Sequence, residues 1–244
     1  MSTRTRIEVR RGADGRVTTR LRGAHLAPRR LPDVDGTVRV ALVATQALLL
    51  AGDEVGVDVE VGDGIRLEVV ETSGTVAYDM RGGRAGWHVD VGVASGASLV
   101  WSGLPFVVAD GADVERHTRV ALEPGAQALL RETLVLGRTG EAGGRLLSTL
   151  TARLGGRVLL TEETALDPVS RRDPALLGGA RVLDVLTALG HRLTDPAALQ
   201  LEGEGSVLRW LGAATHASTH RAVTSSALPA RTEPAEHEVL VALT

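Results

Sequence analysis

The 244-residue chain contains no cysteine and no lysine, and all 27 of its basic residues are arginine. Aromatic side chains are nearly as scarce: Trp87, Trp101, Trp210, Tyr78 and Phe106 are the five present. Each absence removes a class of chemistry. Without cysteine there is no thiolate nucleophile, no disulfide framework and no Cys-ligated zinc site. Without lysine there is no Schiff base and no GxxxxGK[ST] phosphate loop, so the chain by itself is no nucleotide-driven motor or GTPase. With 43% hydrophobic residues and few rings, the core has to be built from Val, Leu and Ala.

Long apolar runs are missing too. The most apolar stretch, Val40 to Ala51, is broken by Thr45 and Gln46 and falls short of the roughly 20 residues of a membrane span. The N-terminus, MSTRTRIEVRRGADGRVTTR, has no apolar core of a secretory signal. A soluble, cytoplasmic protein is expected. Residues 1–40 carry ten Arg against four acidic residues, a net of +6, while the remainder is at −9. This basic arm lacks aromatics for base stacking and has no nucleic-acid reading motif. It reads as a solvated edge strand or as a patch for an acidic protein partner; neither a nucleic-acid nor a membrane partner is expected.

Strand signals dominate what is present. Val55, Val57, Val59 and Val61 alternate with Gly56, Asp58 and Glu60, then Gly62-Asp63-Gly64 turns, then Ile65, Leu67 and Val69 alternate again. The unit recurs around Ser95-Gly96 and around Pro124-Gly125, where Gly125 suits the φ > 0 position of a type II turn. A weaker copy runs from Leu150 to Leu160 around Gly155-Gly156. Glycines 64, 96, 125 and 156 are spaced by 32, 29 and 31 residues. A period near 30 predicts stacked β-hairpins in a solenoid-like, β-helix-like arrangement, each with a return segment at 75–80, 104–109 or 133–138. An ordinary β-sandwich with similar hairpins fits the same pattern.

The tail reads differently. Asp173-Pro174-Ala175 offers a helix start, the apolar residues from Leu176 to Leu189 are grouped at helical spacing, and Gly190 offers a stop. A second helix is expected from about Ser206 to His220. The expected architecture is therefore mainly β: one domain over 1–244, a β body over about 1–166, two C-terminal α-helices over about 173–220 and a closing segment over 228–244.

No HExxH, CxxC, GxSxG or GxGxxG motif occurs. His216 and His220 are four apart, so on a helix they share a face and can hold one divalent metal; a solvent-facing pair is the alternative. His88 and His117 alternate with core positions and face outward. Carboxylates crowd residues 53–90, mostly at polar parity. Two places stand out. Asp53-Glu54 follows Gly52 directly after an apolar run. Glu132 interrupts the series Ala126, Ala128, Leu130, Leu134, Leu136 at inward parity, where a buried carboxylate needs a partner such as Arg131 or Arg138.

Several ordered segments carry a resemblance. They are Leu50–Glu54 followed by VGVDVEVGDGIRLEV, Thr72–Tyr78 in the context ETSGTVAY, Leu99–Trp101 with Leu104-Pro105, His117–Val120, Glu132–Arg138 with Gly140-Glu141, and more loosely Arg209–Gly212. Together they resemble the urease accessory protein UreD family, called UreH in some species. The first forty residues, and WSGLPF at 101–106, depart from the family pattern. The resemblance implies a non-enzymatic scaffold that binds UreF, recruits the GTPase UreG through it, docks on apo-urease and assists nickel insertion. It implies no tightly bound cofactor, but an interior path that nickel crosses. Carried onto this sequence, Asp53, Glu54, Glu132, Arg138 and Glu141 are the candidates for that path, because carboxylates hold such an ion transiently. Internal pairing of Glu132 with Arg138 is the alternative. Two other functions compete: a hydrolase or lyase using Asp53 and Glu132 as acid and base, and a β module that assembles with itself through its sheet edges.

Overall fold

A computed structural model of the chain describes residues 4–218. Two antiparallel hairpins open it, β1 (Arg4–Arg11) with β2 (Val17–Arg22) and β3 (Leu26–Val34) with β4 (Thr37–Ala44). Three coils follow. The first is β5 (Glu54–Val61), β6 (Arg66–Glu71) and β7 (Thr75–Ala77). The second is β8 (Ala85–Val93), β9 (Ser98–Ser102) and β10 (Phe106–Val108). The third is β11 (Asp113–Leu122) and the long β12 (Gln127–Leu136). The chain then runs through β13 (Arg145–Leu154), β14 (Arg157–Leu166), β15 (Val182–Leu189), β16 (Leu199–Gln200) and β17 (Gly205–Gly212).

These strands form two facing sheets. The first has the order β14-β13-β11-β8-β5-β1-β2, and the second β16-β17-β15-β12-β9-β6-β4-β3. The repeating strand pairs are not hairpins, in contrast to the sequence expectation. β5 lies in one sheet and β6 in the other, and the same holds for β8 with β9 and β11 with β12. Each strand instead pairs in parallel with its counterpart one coil away: Val57↔Val89, Thr118↔Val89 and Leu67↔Leu99 are examples. The glycine turns are therefore arches that carry the chain across the core. An arch and a hairpin share the same alternation, so the pattern alone does not separate them. Only Gly155-Gly156 closes a true hairpin, β13 with β14. The solenoid-like expectation holds, and the return segments stack as expected, with Phe106 opposite both Thr75 and Leu134.

Parallel stacking makes every inward position repeat. Val55, Val57, Val59 and Val61 of β5 are fully or almost fully buried, as are Val89, Val91 and Val93 of β8. On the second sheet Leu67, Val69, Leu99, Ala128 and Leu130 face them from within the same apolar cluster. The arches are tied to one another by the backbone. Gly62 N–H donates to Val9 O, Ala94 N–H to Val61 O, Glu123 N–H to Val93 O and Gly155 N–H to Leu122 O. The basic arm forms β1 to β4, and β2, as expected, is a solvated edge strand with Arg20 and Arg22 exposed.

The two C-terminal helices are not there. Among the described residues no α-helix occurs, only three-residue 3-10 turns at Ser170–Arg172 and Thr215–Ala217. Asp173 does cap a turn, its Oδ1 accepting Ala175 N–H and its carbonyl accepting Leu176 and Gly178 N–H. Gly178 and Gly179, at φ +55° and +85°, then stop it. Val182–Leu189 is β15, antiparallel to both β12 and β17, and Gly205–Gly212 is β17. β15 is buried on both faces, so its continuous apolar run satisfies helical spacing as well as strand spacing. The closing segment 228–244 lies outside the described residues. No helix among the described residues is long and apolar enough to cross a membrane.

On the outer face of the second sheet Asp184 is 0% exposed and carries a buried charge. Arg131 reaches it in a bidentate fork, Nε to Oδ1 at 3.0 Å and Nη2 to Oδ2 at 2.7 Å. Thr133 Oγ1 donates to it at 3.0 Å, and the Ser218 hydroxyl also donates. Burial alone raises a carboxyl pKa, but these donors outweigh it and hold Asp184 below the usual carboxylate range.

Two stability predictions follow from this architecture. Gly125 has φ +74°, so Gly125→Val should lower stability by about 2 kcal/mol or more. A denaturation midpoint unchanged from wild type would refute the arch assignment. Asp184→Ala strands the Arg131 guanidinium and should cost about 3 kcal/mol; a urea midpoint within error of wild type would show that the fork contributes nothing.

Candidate functional site

The inward row of the second sheet turns polar at one level. Val69, Trp101 and Leu130 stack in register. Two residues further along each strand come Glu71, Gly103 and Glu132, and beyond them Val185 and Arg209 in register with Glu132. Opposite, the first sheet presents Trp87, Arg116, Ser148 and Thr164 as register neighbours. A cavity of about 50 Å³ opens between the two rows, lined by Glu71, Trp87, Trp101, Phe106, Arg116 and Glu132 among others. A water needs about 10–15 Å³, so a few fit. A second cavity of about 20 Å³ continues from Glu132 to Ser148, Glu162, Thr164 and Thr187. Arg209 Nη2 meets Glu162 at 2.7 Å at the far end.

Glu71 accepts Trp101 Nε1–H at 3.0 Å and Leu104 N–H at 2.8 Å. Burial nevertheless pushes its carboxyl above the ordinary range, outweighing those two donors. Arg116 Nη2 donates to Glu132 Oε1 at 2.6 Å. Its guanidinium lies 4.6 Å over the Phe106 ring, which in turn meets Trp87 edge-on at 5.7 Å. Gly103 is the spacer between the two carboxylates: a Cβ there would lie 2.8 Å from the Arg131 carbonyl oxygen and 3.7 Å from Glu71 Oε1.

Of the residues singled out from sequence, Glu132 alone enters this interior. Its partner is Arg116, not Arg131 or Arg138. Arg138 pairs instead with Glu141 across a turn, its Nε to Glu141 Oε1 at 2.7 Å, and the Arg138 backbone N–H donates to the same carboxylate at 2.8 Å. Those bonds hold the Glu141 pKa down to about 2. Asp53 closes the turn before β5, accepting Leu50 N–H at 2.8 Å. Glu54 is on the outer face, its side chain 68% exposed and 2.9 Å from His88 Nε2. His88 and His117 face outward as expected, their near-parallel rings stacked 5.3 Å apart, His88 Nε2 meeting Glu54 and His117 Nδ1 meeting Thr149 Oγ1 at 2.8 Å. His216 is exposed in a 3-10 turn, so its helical premise falls, and His220 lies outside the described residues. Among the described residues no three His, Asp or Glu side chains gather to hold a metal. Asp53 does not line the cavity that Glu132 lines, so the acid–base pair suggested for a hydrolase is not assembled.

The family model described as UreD urease accessory protein matches residues 2–238. The chain belongs to the UreD family. UreD relatives agree over most of their length. Urease accessory protein UreD 1 of Streptomyces griseus is 47% identical over 213 residues, 85% of this chain and 84% of the relative. Urease accessory protein UreD of Streptomyces avermitilis is 38% identical over 194 residues, 78% and 77% of the two chains. That of Cereibacter sphaeroides is 34% identical over 188 residues, 72% and 68%. UreD proteins are accessory proteins rather than enzymes, which sets the hydrolase reading aside. The resemblance carried by the ordered segments is thus confirmed at the level of family.

Sequence reasoning missed Glu71 and Arg116. A signal was present for both. Glu71 follows Leu67 and Val69 at inward parity, and Arg116 shares parity with Val114, Thr118 and Val120.

The raised pKa of Glu71 has a readable consequence. A carboxyl whose folded pKa exceeds its unfolded value holds its proton more tightly when folded. Its contribution is full below about pH 4.5 and is lost as pH rises through the raised value. Relative to Glu71→Gln, the wild-type urea midpoint should therefore fall over that window. Parallel pH profiles for the two proteins would show that Glu71 ionises in the fold without cost.

Proposed function

We propose that this UreD protein is a scaffold in urease maturation: with UreF, and with the GTPase UreG through UreF, it docks on apo-urease in the cytoplasm and assists nickel insertion. The observation that carries the reading is the polar interior row from Glu71 through Glu132 to Glu162, set inside an otherwise apolar solenoid in a family of urease accessory proteins. A core that served only stability has no use for such a row, since unpaired or half-paired buried charge costs stability. Oxygen ligands without thiolates suit passage of nickel rather than storage, because they bind it weakly. Nickel is cargo here, and GTP hydrolysis belongs to the partner. Asp53, Glu54, Arg138 and Glu141 sit at turns and on the outer face, so Glu132 is the path residue retained from the original set.

The test is co-expression with the urease gene set. The tagged chain should carry UreF through purification, and Glu132→Gln should keep UreF while lowering urease activation at least tenfold. A folded chain that never retains UreF sinks the scaffold reading. Full activation by Glu132→Gln sinks the interior path.

A further inference from the structure

The two sheets end in four edge strands, and three of them carry a device against further pairing. β3 holds Pro28 and Pro32, which offer no N–H, and its register slips between Leu31 and Val34. β16 is two residues long. β14 meets β13 with a register shift at Ala152-Arg153. β2 differs: its six residues, VTTRLR, contain no proline or glycine and run in unbroken register with β1. Among the described residues β1 is its one strand neighbour, so alternate N–H and C=O groups on its far side have no strand to meet.

The side chains around this edge carry charge with no internal answer. Val17, Thr19 and Leu21 share the inward side with Ile7 and Val9, while Thr18, Arg20 and Arg22 face outward. Arg22 stands directly opposite Arg6, a like-charged pair that costs stability. Asp58 is in register with Arg6 on the other side, but Arg4 already holds it at 2.7 Å. Glu8 is opposite Arg20, but Arg10 already holds it at 2.5 Å. Arg6, Arg20 and Arg22 are exposed and make no ion pair among the described residues, whereas Arg84 and Arg119 on the same sheet face both find carboxylates. The inward side is unfinished too: Val17 is 39% exposed and Leu21 is only partly covered.

We infer that β2 is a docking edge for an extended acidic segment of a partner protein, which adds to the seven-stranded first sheet as a further strand. The segment carries Glu or Asp at alternate positions, where they meet Arg6, Arg20 and Arg22. Apolar residues between them cover Val17 and Leu21. Charge on an edge rejects more copies of the same strand but accepts one of opposite charge. A second copy of this chain does not fit. β2 against β2 sets arginine against arginine, and β14 turns Glu162 inward against Arg209, which leaves Glu163 as its one outward carboxylate. Single-stranded nucleic acid fits less well than an acidic strand, since neither β1 nor β2 has an aromatic ring for a base to stack on. No residue of β1 or β2 lines either cavity, so the inference stands apart from the interior path.

The experiment is NMR titration of the full, isotope-labelled chain with the end-capped peptide GEVEVEVG. Amides of β2 should shift on addition, and those facing the new strand should exchange with solvent more slowly. Binding should weaken as salt rises. The triple variant Arg6→Gln/Arg20→Gln/Arg22→Gln should bind about tenfold more weakly, the loss expected of three exposed ion pairs. Arg22→Gln alone should hold or raise the urea midpoint, because it relieves the opposition to Arg6. The same peptide methylated at every backbone nitrogen keeps its charges and should not bind. Absence of any shift at β2 with millimolar peptide overturns the inference. Equal binding by the methylated peptide, or by a single-stranded DNA oligonucleotide, overturns it as well, since either marks a plain polyanion surface. A dimer in light scattering that the triple variant dissolves puts a second copy on the edge and overturns the acidic partner.

Discussion

At the turns of Gly64, Gly96 and Gly125 the chain leaves one sheet and enters the other, and the rest of the molecule depends on that crossing. Because the two strands of a unit do not pair with each other, their hydrogen bonds are satisfied only by the units before and after. The stack is therefore parallel and in register, and an inward position in one coil lies beside the inward position of the next. Apolar residues repeat into a valine and leucine core by this rule. Polar residues repeat by the same rule, so a carboxylate placed inward at Glu71 and another at Glu132 fall on one row with a single coil between them. A row of interior charge is the direct product of arch topology plus two unusual residues.

Buried charge has to be neutralised, and the protein does so in two ways within one sheet. On the outer face Asp184 is enclosed by a bidentate arginine and two hydroxyls, an arrangement in which nothing is left to change. On the inner face Glu132 has one bond from one arm of Arg116, and empty space adjoins both. The Glu132 side chain is also 30% exposed where Asp184 is 0% exposed, so solvent reaches the one and not the other. One pair is thus sealed into the framework, and the other borders the cavity between the sheets.

Much of this was legible in the chain. The spacing of Gly64, Gly96 and Gly125 marks the coils and Gly156 the hairpin after them, and positive φ at all four is the reason glycine is there. Glu132 was found because it broke an apolar series. Arg116 and Glu71 broke similar series, but each sits among neighbours polar enough to mask the break: Glu115 and His117 on one strand, Thr72 and Ser73 after the other. Arch against hairpin was not legible, since both give period two and differ only in which backbone groups pair. The helical reading of Val182–Leu189 failed for a related reason. A strand covered on both faces loses its alternation, and an apolar run of eight fits 3.6 as well as 2.0. In the same region Gly190 was read as a helix stop; at φ +74° it instead ends a strand, donating its N–H to Glu204.

The missing residue types acquire a meaning at this site. A guanidinium at position 116 stays charged in an apolar interior, where a lysine could lose its proton. Without cysteine, the row's potential ligands are hard carboxylate oxygens and no soft thiolate. The scarce aromatics are not scattered either. Trp87, Trp101 and Phe106, three of the five, border the same cavity, where one ring supports the guanidinium and one indole N–H holds Glu71. In a core otherwise made of valine, leucine and alanine, large rigid rings are concentrated at the level where the two sheets have to leave room between them. The composition therefore separates the interior into a close-packed stack that supplies stability and one rigidly framed polar level where the two sheets leave space between them.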